Sequence, residues 1–458
     1  MSFLRSSVLA SVHLRTLALC LAAPCLVQCV SSSQPAGGST QAPTTETSEN
    51  KLRVPTEGAF TTGKYRNVFA ELGYPEEEIA KKVSSAYAQL FHGEPTQQAV
   101  MFDAGSNADG KLAYIKDIGN NDVRSEGMSY GMMIAVQLDQ KADFDALWNW
   151  ATAFMYHADP SHPAYGYFAW QLKDDGSKID DMPAPDGEEY FVTALMFAAH
   201  RWGSGTGKYN YMEQAHRLLD DMKNRKPITG KVNGTRETTG VALFNPETKM
   251  VRFTPDSGNF ATNTDHTDPS YHLPAFYDLW ALWGPEQDRN FWSEAAQVSR
   301  DFFLKTTHPK TGLSPDYAHF DGSPKAASWD ANTAHFRFDA FRTGMNWAMD
   351  CAWFAKDRTR QVELSDRLLG FFASLGKSYP NTYQIDGTPT SQSSSSGLVA
   401  MNAAVAICAE TPVAPQFVEA LWKQPIPTGQ WRYYDGMLYT FALLHLSGQY
   451  KIFAPSSP

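Results

Sequence analysis

The feature that most constrains this chain is a recurrence of helical segments that are apolar on more than one face. They fall at 126–138, 143–157, 188–202, 210–223, 271–283, 290–305, 339–355, 361–374, 397–409, 415–422 and 434–447, between loops rich in Gly, Pro, Asp and Asn. The run Tyr190-Phe-Val-Thr-Ala-Leu-Met-Phe-Ala-Ala199 is apolar all round and needs neighbours on every side. Tyr209 to Leu219 keeps a polar face and predicts an outer, sheathing helix. Inner helices sheathed by outer ones make a helical toroid. An α-solenoid would bury similar faces, but no fixed-period self-similarity is present. Alternating strand patterns are scarce, and only Thr239 to Thr254 predicts a hairpin, at the surface. The expected fold class is therefore all-α, with a minor surface β-hairpin.

Residues 1–29 read as an export signal: Arg5 and Arg15 supply positive charge, and Leu17 to Val30 is apolar but short for a bilayer span. Leu26-Val-Gln-Cys29 resembles a bacterial lipoprotein cleavage box, with Gln28 standing where a small residue fits better. A lipid at Cys29 is the one membrane attachment the sequence admits. Residues 30–52, Ser/Thr/Pro-rich, predict a flexible tether. From 53 to 458 no linker or composition break intervenes, so the remainder reads as one catalytic domain, expected to be monomeric. Exported, it would work in the periplasm or outside the cell. The net charge of -10 and the lack of a basic run argue against nucleic acid. Of the five cysteines only Cys351 and Cys408 belong to the body, both in apolar helical runs, which predicts buried free thiols.

Three carboxylates stand at helix starts. Glu126 opens the apolar run through Leu138, Asp186 opens the 188–202 helix and Asp339 opens the 339–355 helix. Each has a plain structural reading. Asp186 with Glu189 three residues on is a capping box. Glu126 after Ser125 is a first-turn acid favoured by the helix dipole, and Asp339 is an N-cap with Arg342 as partner. Inner helices of a toroid begin at one rim or the other, however, so three such acids can converge in one cleft. A helix N-terminus lowers a carboxyl pKa, whereas a proton donor needs it raised. Dipole effects amount to about 0.3–1 kcal/mol while desolvation moves a pKa by several units, so burial with Asp186 as neighbouring anion can prevail at Glu126. Tyr165, Tyr167, Phe168 and Trp170 form the best aromatic cluster for stacking on a neutral, hydroxyl-rich ligand, with Tyr433 and Tyr434 beside Asp435 as weaker candidates. Asp265, His266, Asp268 and His272 look like a metal set, but no metal or other cofactor is expected.

Six blocks in order resemble glycoside hydrolase family 8, and most closely its branch of reducing-end xylose-releasing exo-oligoxylanases. They are Asn121-Asp-Val-Arg-Ser-Glu-Gly-Met-Ser-Tyr-Gly-Met132, Asp186-Gly-Glu-Glu-Tyr-Phe191, Asp268-Pro-Ser-Tyr-His-Leu-Pro-Ala-Phe276, Phe338-Asp-Ala-Phe-Arg342, Gly397-Leu-Val-Ala-Met-Asn402 and Trp431-Arg-Tyr-Tyr-Asp-Gly436. The resemblance implies an (α/α)6 barrel and inverting hydrolysis of β-1,4 bonds in xylooligosaccharides. By the same resemblance Glu126 matches the general acid, Asp339 the general base, Asp186 the acid that holds the sugar at the cleavage subsite, and Tyr271 the tyrosine on the attacking water. Trp170, Arg342, Tyr190 and Tyr434 are the expected substrate contacts, with Arg342 orienting Asp339. Two departures stand out. Pro185 and Glu188 replace the family's usual Ser/Thr and Asp, and around Ser394 there are only serines where the branch has a loop histidine on the terminal sugar. Release of xylose from the reducing end is the first expectation. An endo-acting xylanase or cellulase of the same family is the alternative, and a non-catalytic surface carbohydrate-binding protein is the reading from another class.

Overall fold

The computed structural model describes residues 52–257 and 266–455. The export signal, Cys29, nearly all of the tether and Asp265 lie outside the described residues. Two one-turn helices, α1 (Ala59–Thr62) and α2 (Val68–Glu71), precede twelve longer ones. These are α3 (Glu76–His92), α4 (Ser125–Gln137), α5 (Lys141–Trp150), α6 (Pro185–Trp202), α7 (Tyr211–Asn224), α8 (Pro274–Trp283), α9 (Arg289–Thr306), α10 (Ala340–Trp353), α11 (Arg358–Ser374), α12 (Ser396–Val405), α13 (Ala414–Lys423) and α14 (Arg432–Leu446).

The even-numbered helices from α4 to α14 form a closed inner ring. Each packs on the next, and α14 returns to α4. The odd-numbered helices from α3 to α13 sheath them, one against each inner helix. This is the (α/α)6 barrel, and the sequence shows why the layers sort as they do. Inner α4 is buried at every position but Glu126, and α6 is buried from Pro185 through Ala198. Outer α7 buries only Tyr211, Ala215, Leu218, Leu219 and Met222, a single stripe at helical spacing. Helix α3 was absent from the sequence-derived set, although Ile79, Val83, Tyr87 and Leu90 give it the same stripe.

Strands are more extensive than expected. A five-stranded antiparallel sheet runs β1 (Met101–Asn107), β2 (Gly110–Asp117), β3 (Asp122–Arg124), β4 (Gln171–Leu172) and β5 (Lys178–Asp180), in that order. Its value to the site is positional. β3 runs without a break into α4, and the carbonyl of Trp170, just before β4, accepts the N–H of Ser125 at 3.0 Å. A hairpin pairs β6 (Ile228–Val232) with β7 (Arg236–Gly240), mostly upstream of the expected 239–254; beyond β7 come isolated bridges, Phe244 with Val251 and Gly240 with Asp256. The last pair is β8 (His266–Thr267) with β9 (Ala318–His319).

The free-thiol expectation is overturned. Cys351, near the end of α10, is disulfide-bonded to Cys408, in the 3-10 turn that follows α12. The two elements are neighbours in the ring, which brings the Cα atoms to 6.1 Å, a distance a disulfide spans. Nothing in the local apolar sequence around either residue encodes that adjacency.

Candidate active site

The three acids meet. Arg342, one turn into α10 and 2 % exposed, lies at their centre. Its Nη1 donates to Glu126 Oε2 at 2.6 Å and to Asp186 Oδ2 at 2.8 Å, while Nη2 lies 3.1 Å from Asp339 Oδ1. Tyr130 Oη also lies 2.6 Å from Nη1, sharing its two hydrogens with the acids, and Nη2 donates to Ser270 Oγ at 2.9 Å. Arg342 therefore does more than orient Asp339. It gathers side chains from α4, α6 and α10 round one planar cation.

Local capping differs from the sequence reading at two of the three. Pro185 takes the first position of α6 and Ala184 the cap, so Asp186 sits one residue further in and makes no capping box. Glu189 Oε1 instead lies 2.5 Å from the Tyr277 hydroxyl oxygen. In α4 the cap is Arg124 rather than Ser125. Asp339 is the cap residue of α10, but its carboxylate makes no cap hydrogen bond and is left to the cleft.

The environments of the acids separate their chemistry. Glu126 and Asp186 have side chains 14 % and 5 % exposed, whereas that of Asp339 is 34 % exposed. Burial pushes the Glu126 carboxyl up, Arg342 opposes, and the Asp339 charge pushes it further up. Burial likewise lifts Asp186 to about 7 against the pull of Arg342, with Glu126 and Asp339 adding to the rise. Desolvation thus prevails over the helix dipole, and the Glu126–Asp186 pair retains a proton near neutral pH as a unit. Tyr433 Oη donates to Glu126 Oε1 at 2.7 Å and fixes the acid from the α14 side.

The groove has two arms that share Arg124, Glu126 and Asp339. One, about 480 Å³, is lined by Asp186, Tyr271, Trp170, Phe253, Tyr317 and Trp329 among others. The other, about 610 Å³, is lined by Phe338, Asn381, Ser393, Ser394, Ser395, Trp431 and Tyr434 among others. Since Glu126 and Asp339 both touch one guanidinium, their separation stays below the upper end of the window, about 6.5–9.5 Å, used by inverting glycosidases.

Of the remaining expected residues, Tyr271, Trp170 and Tyr434 line the groove, and Trp170 lies under the Arg124 guanidinium at 5.6 Å. Tyr190 does not. It is 2 % exposed and packs on Tyr130 and Phe276, with ring centroids 4.6 and 5.0 Å away, so it is core. Tyr167 and Phe168 are core as well, which leaves Trp170 as the one member of that aromatic cluster at the groove. Sequence reasoning missed Arg124, Phe338, Trp329 and Trp431. Arg124, Phe338 and Trp431 all stand within quoted blocks, which was the signal available for them, whereas Trp329 lies outside every block.

The suspected metal set is explained by packing. His272 is fully buried, its Nδ1 2.9 Å from Ser299 Oγ and its Nε2 3.2 Å from Thr267 Oγ1, and burial pushes its pKa down to about 3. Asp268 accepts the Ser270 N–H at 2.7 Å, and Asp265 lies outside the described residues. Among the described residues His157, His162 and Asp181 also approach one another. There the His162 Nδ1 accepts the Ala164 N–H at 3.0 Å, so in the neutral ring Nε2 carries the hydrogen and has no lone pair for a metal.

A proton-holding carboxyl, an exposed carboxylate across a groove from it, and aromatic walls on both arms define a glycoside hydrolase. Comparison with known proteins agrees. The profile described as glycosyl hydrolases family 8 matches residues 107–447. The chain belongs to that family. A family 8 protein from Teredinibacter turnerae, solved as a xylobiose complex and, as a catalytic-mutant xylanase, with xylohexaose, is 53% identical with a TM-score of 0.85, covering 87% of this chain and 100% of that one. The reducing-end xylose-releasing exo-oligoxylanase Rex8A of Paenibacillus barcinonensis is 39% identical over 404 residues, 88% of this chain and all of the relative. That of Halalkalibacterium halodurans is 41% identical over 408 residues, 88% of this chain and 98% of the relative.

Proposed function

We propose that the protein hydrolyses β-1,4-linked xylooligosaccharides with inversion, releasing xylose from the reducing end. The convergence of Glu126, Asp186 and Asp339 on Arg342 carries this reading. Glu126 gives its proton to the leaving oxygen as the C–O bond breaks. Asp339 takes a proton from a water that attacks the anomeric carbon from the opposite face, with Tyr271 holding that water. Asp186 accepts a hydroxyl of the ring being cleaved, and the neighbouring negative charge of Asp339 helps Glu126 keep its proton. Because Asp186 and Tyr271 both line the smaller arm, that arm takes the sugar whose anomeric carbon reacts, and the Phe338–Trp431 arm takes the leaving group. The names of the exo-oligoxylanase relatives support xylose release from the reducing end.

One observation favours a second reading, cleavage within the chain. The leaving-group arm is the larger of the two, and Ser393, Ser394 and Ser395 form its wall where a bulky side chain would close it. Trp431 is 63% exposed on that arm, backed by Gly119, where an added Cβ would come within 2.6 Å of the indole. Proton NMR and product analysis of xylohexaose hydrolysis from the first seconds separate the readings. Inversion gives the α-anomer first, and the β-anomer appearing first would end the mechanism. Xylose with xylopentaose as first products supports reducing-end release; xylotriose, or xylobiose with xylotetraose, supports internal cleavage. Export belongs to the proposal too, with or without lipid at Cys29, and is supported by the Cys351–Cys408 disulfide, a bond typical of oxidising compartments.

A further inference from the structure

Behind the attacking-water side of the cleft lies a carboxyl that the mechanism leaves unused. Glu189 stands one turn after Asp186 on α6 and is fully buried. Its Oε1 is 2.5 Å from Tyr277 Oη, and the same phenolic oxygen is 3.0 Å from the backbone carbonyl of Tyr271. A phenol has one hydrogen, a carbonyl has none to give, and an ionised carboxylate has none either. Both contacts can be full hydrogen bonds only if a second hydrogen is present between Glu189 and Tyr277.

We infer that Glu189 is held as a neutral carboxylic acid that donates to Tyr277 Oη, so that the Tyr277 hydrogen is free to bind the Tyr271 carbonyl and set the position of Tyr271. Glu189 is thus a positioning residue acting through Tyr277. The surroundings fit an uncharged group. Glu189 Oε2 is buried with no partner, a modest cost for the carbonyl oxygen of an acid and a large one for an anion. Asp186 and Glu188, which face it from the same helix, oppose its ionisation; Tyr277 donates to the anion if one forms, and Arg342 is the cation that favours it. No salt bridge to Glu189 is formed among the described residues. The arrangement ties α6, which supplies Asp186, to the Pro269–Tyr271 turn, which supplies Tyr271.

The consequence for hydrolysis rests on the proposed role of Tyr271, whereas the protonation state does not, so two measurements keep them apart. The first is the infrared difference spectrum, at neutral pH, of the whole protein against Glu189→Gln. Loss of a carboxylic-acid C=O band is expected; loss of an ionised carboxylate band overturns the inference whatever the enzyme cleaves. The second is steady-state hydrolysis of xylotriose. Glu189→Gln, whose amide can still donate to Tyr277, keeps kcat within about twofold, while Glu189→Leu lowers kcat about tenfold with KM little changed. Tyr277→Phe gives the same loss, and adding Glu189→Leu to it costs nothing more. A Gln variant as impaired as Leu, or losses that multiply in the double variant, overturns the relay.

Discussion

Arg342 touches all three acids with its two terminal nitrogens, and this governs how the site titrates. A single fixed positive charge cannot offset three carboxylates in a desolvated cleft, so one proton stays on the Glu126–Asp186 pair. Activity depends on that proton. The alkaline limb of kcat/KM is therefore expected near pH 7, where the pair loses it. Asp186→Asn removes one of the two groups that share this proton, so the limb should leave the neighbourhood of pH 7 as turnover falls. The same shift acts on stability with a definite sign. Asp186 binds its proton more tightly folded than unfolded, so its contribution is complete below about pH 4, the unfolded value, and is lost as pH rises through about 7. A Tm-against-pH series for wild type and Asp186→Asn should show a smaller decline over that span in the variant. Asp339→Asn keeps the shape of the base and removes its basicity. It should lower kcat by about 10²–10⁴-fold while xylooligosaccharide binding, followed calorimetrically, is largely kept. Near-normal turnover would refute the base.

Among the elements, α4 is the one whose packing bears most directly on chemistry. Glycines at 127 and 131 lie one turn apart on it and let two neighbours in. A Cβ on Gly127 would come within 2.7 Å of the Tyr433 ring, and one on Gly131 within 2.9 Å of Ile115. Gly127→Ala should displace Tyr433 from Glu126. A stability loss of about 1–3 kcal/mol by denaturant titration is expected, together with a fall in kcat larger than that of Gly131→Ala. Helices such as α4 and α6 were legible because an all-round apolar run has few alternatives. The β1–β5 sheet was not: β1 is largely exposed and irregular in register between Asp103 and Ser106, while β3, β4 and β5 are two or three residues long. Pairing between distant short segments leaves no periodicity to read. The acids were legible through their helix starts and the quoted blocks, but Trp329 owes its place to a loop whose course no local pattern gives. Tyr190 misled for the converse reason, since an aromatic beside Asp186 on an inner helix faces the barrel core as readily as the cleft.

At the scale of the whole molecule the ring is closed twice, by α14 packing on α4 and by the Cys351–Cys408 bridge between neighbouring sectors. The bridge spans 57 residues of chain, and loop closure of that length is worth about 4 kcal/mol in the entropic account. Replacing both cysteines by serine should lower Tm markedly while leaving kcat at 25 °C near wild type, because Cys351 stands at the far end of α10 from Asp339. A variant with unchanged Tm would show that the bridge constrains nothing the fold has not already fixed.

Tyr433, which grips Glu126, belongs to α14, the last helix among the described residues, and that helix is also the one that completes the ring. Catalytic competence is consequently a property the polypeptide acquires all at once and late. Until the segment from Arg432 onward has packed, the donor carboxyl lacks its anchor. A molecule clipped ahead of Arg432 keeps all three acids but loses the Tyr433 hydrogen bond and the helix that closes the ring, and is expected to be inactive in an oligosaccharide hydrolysis assay.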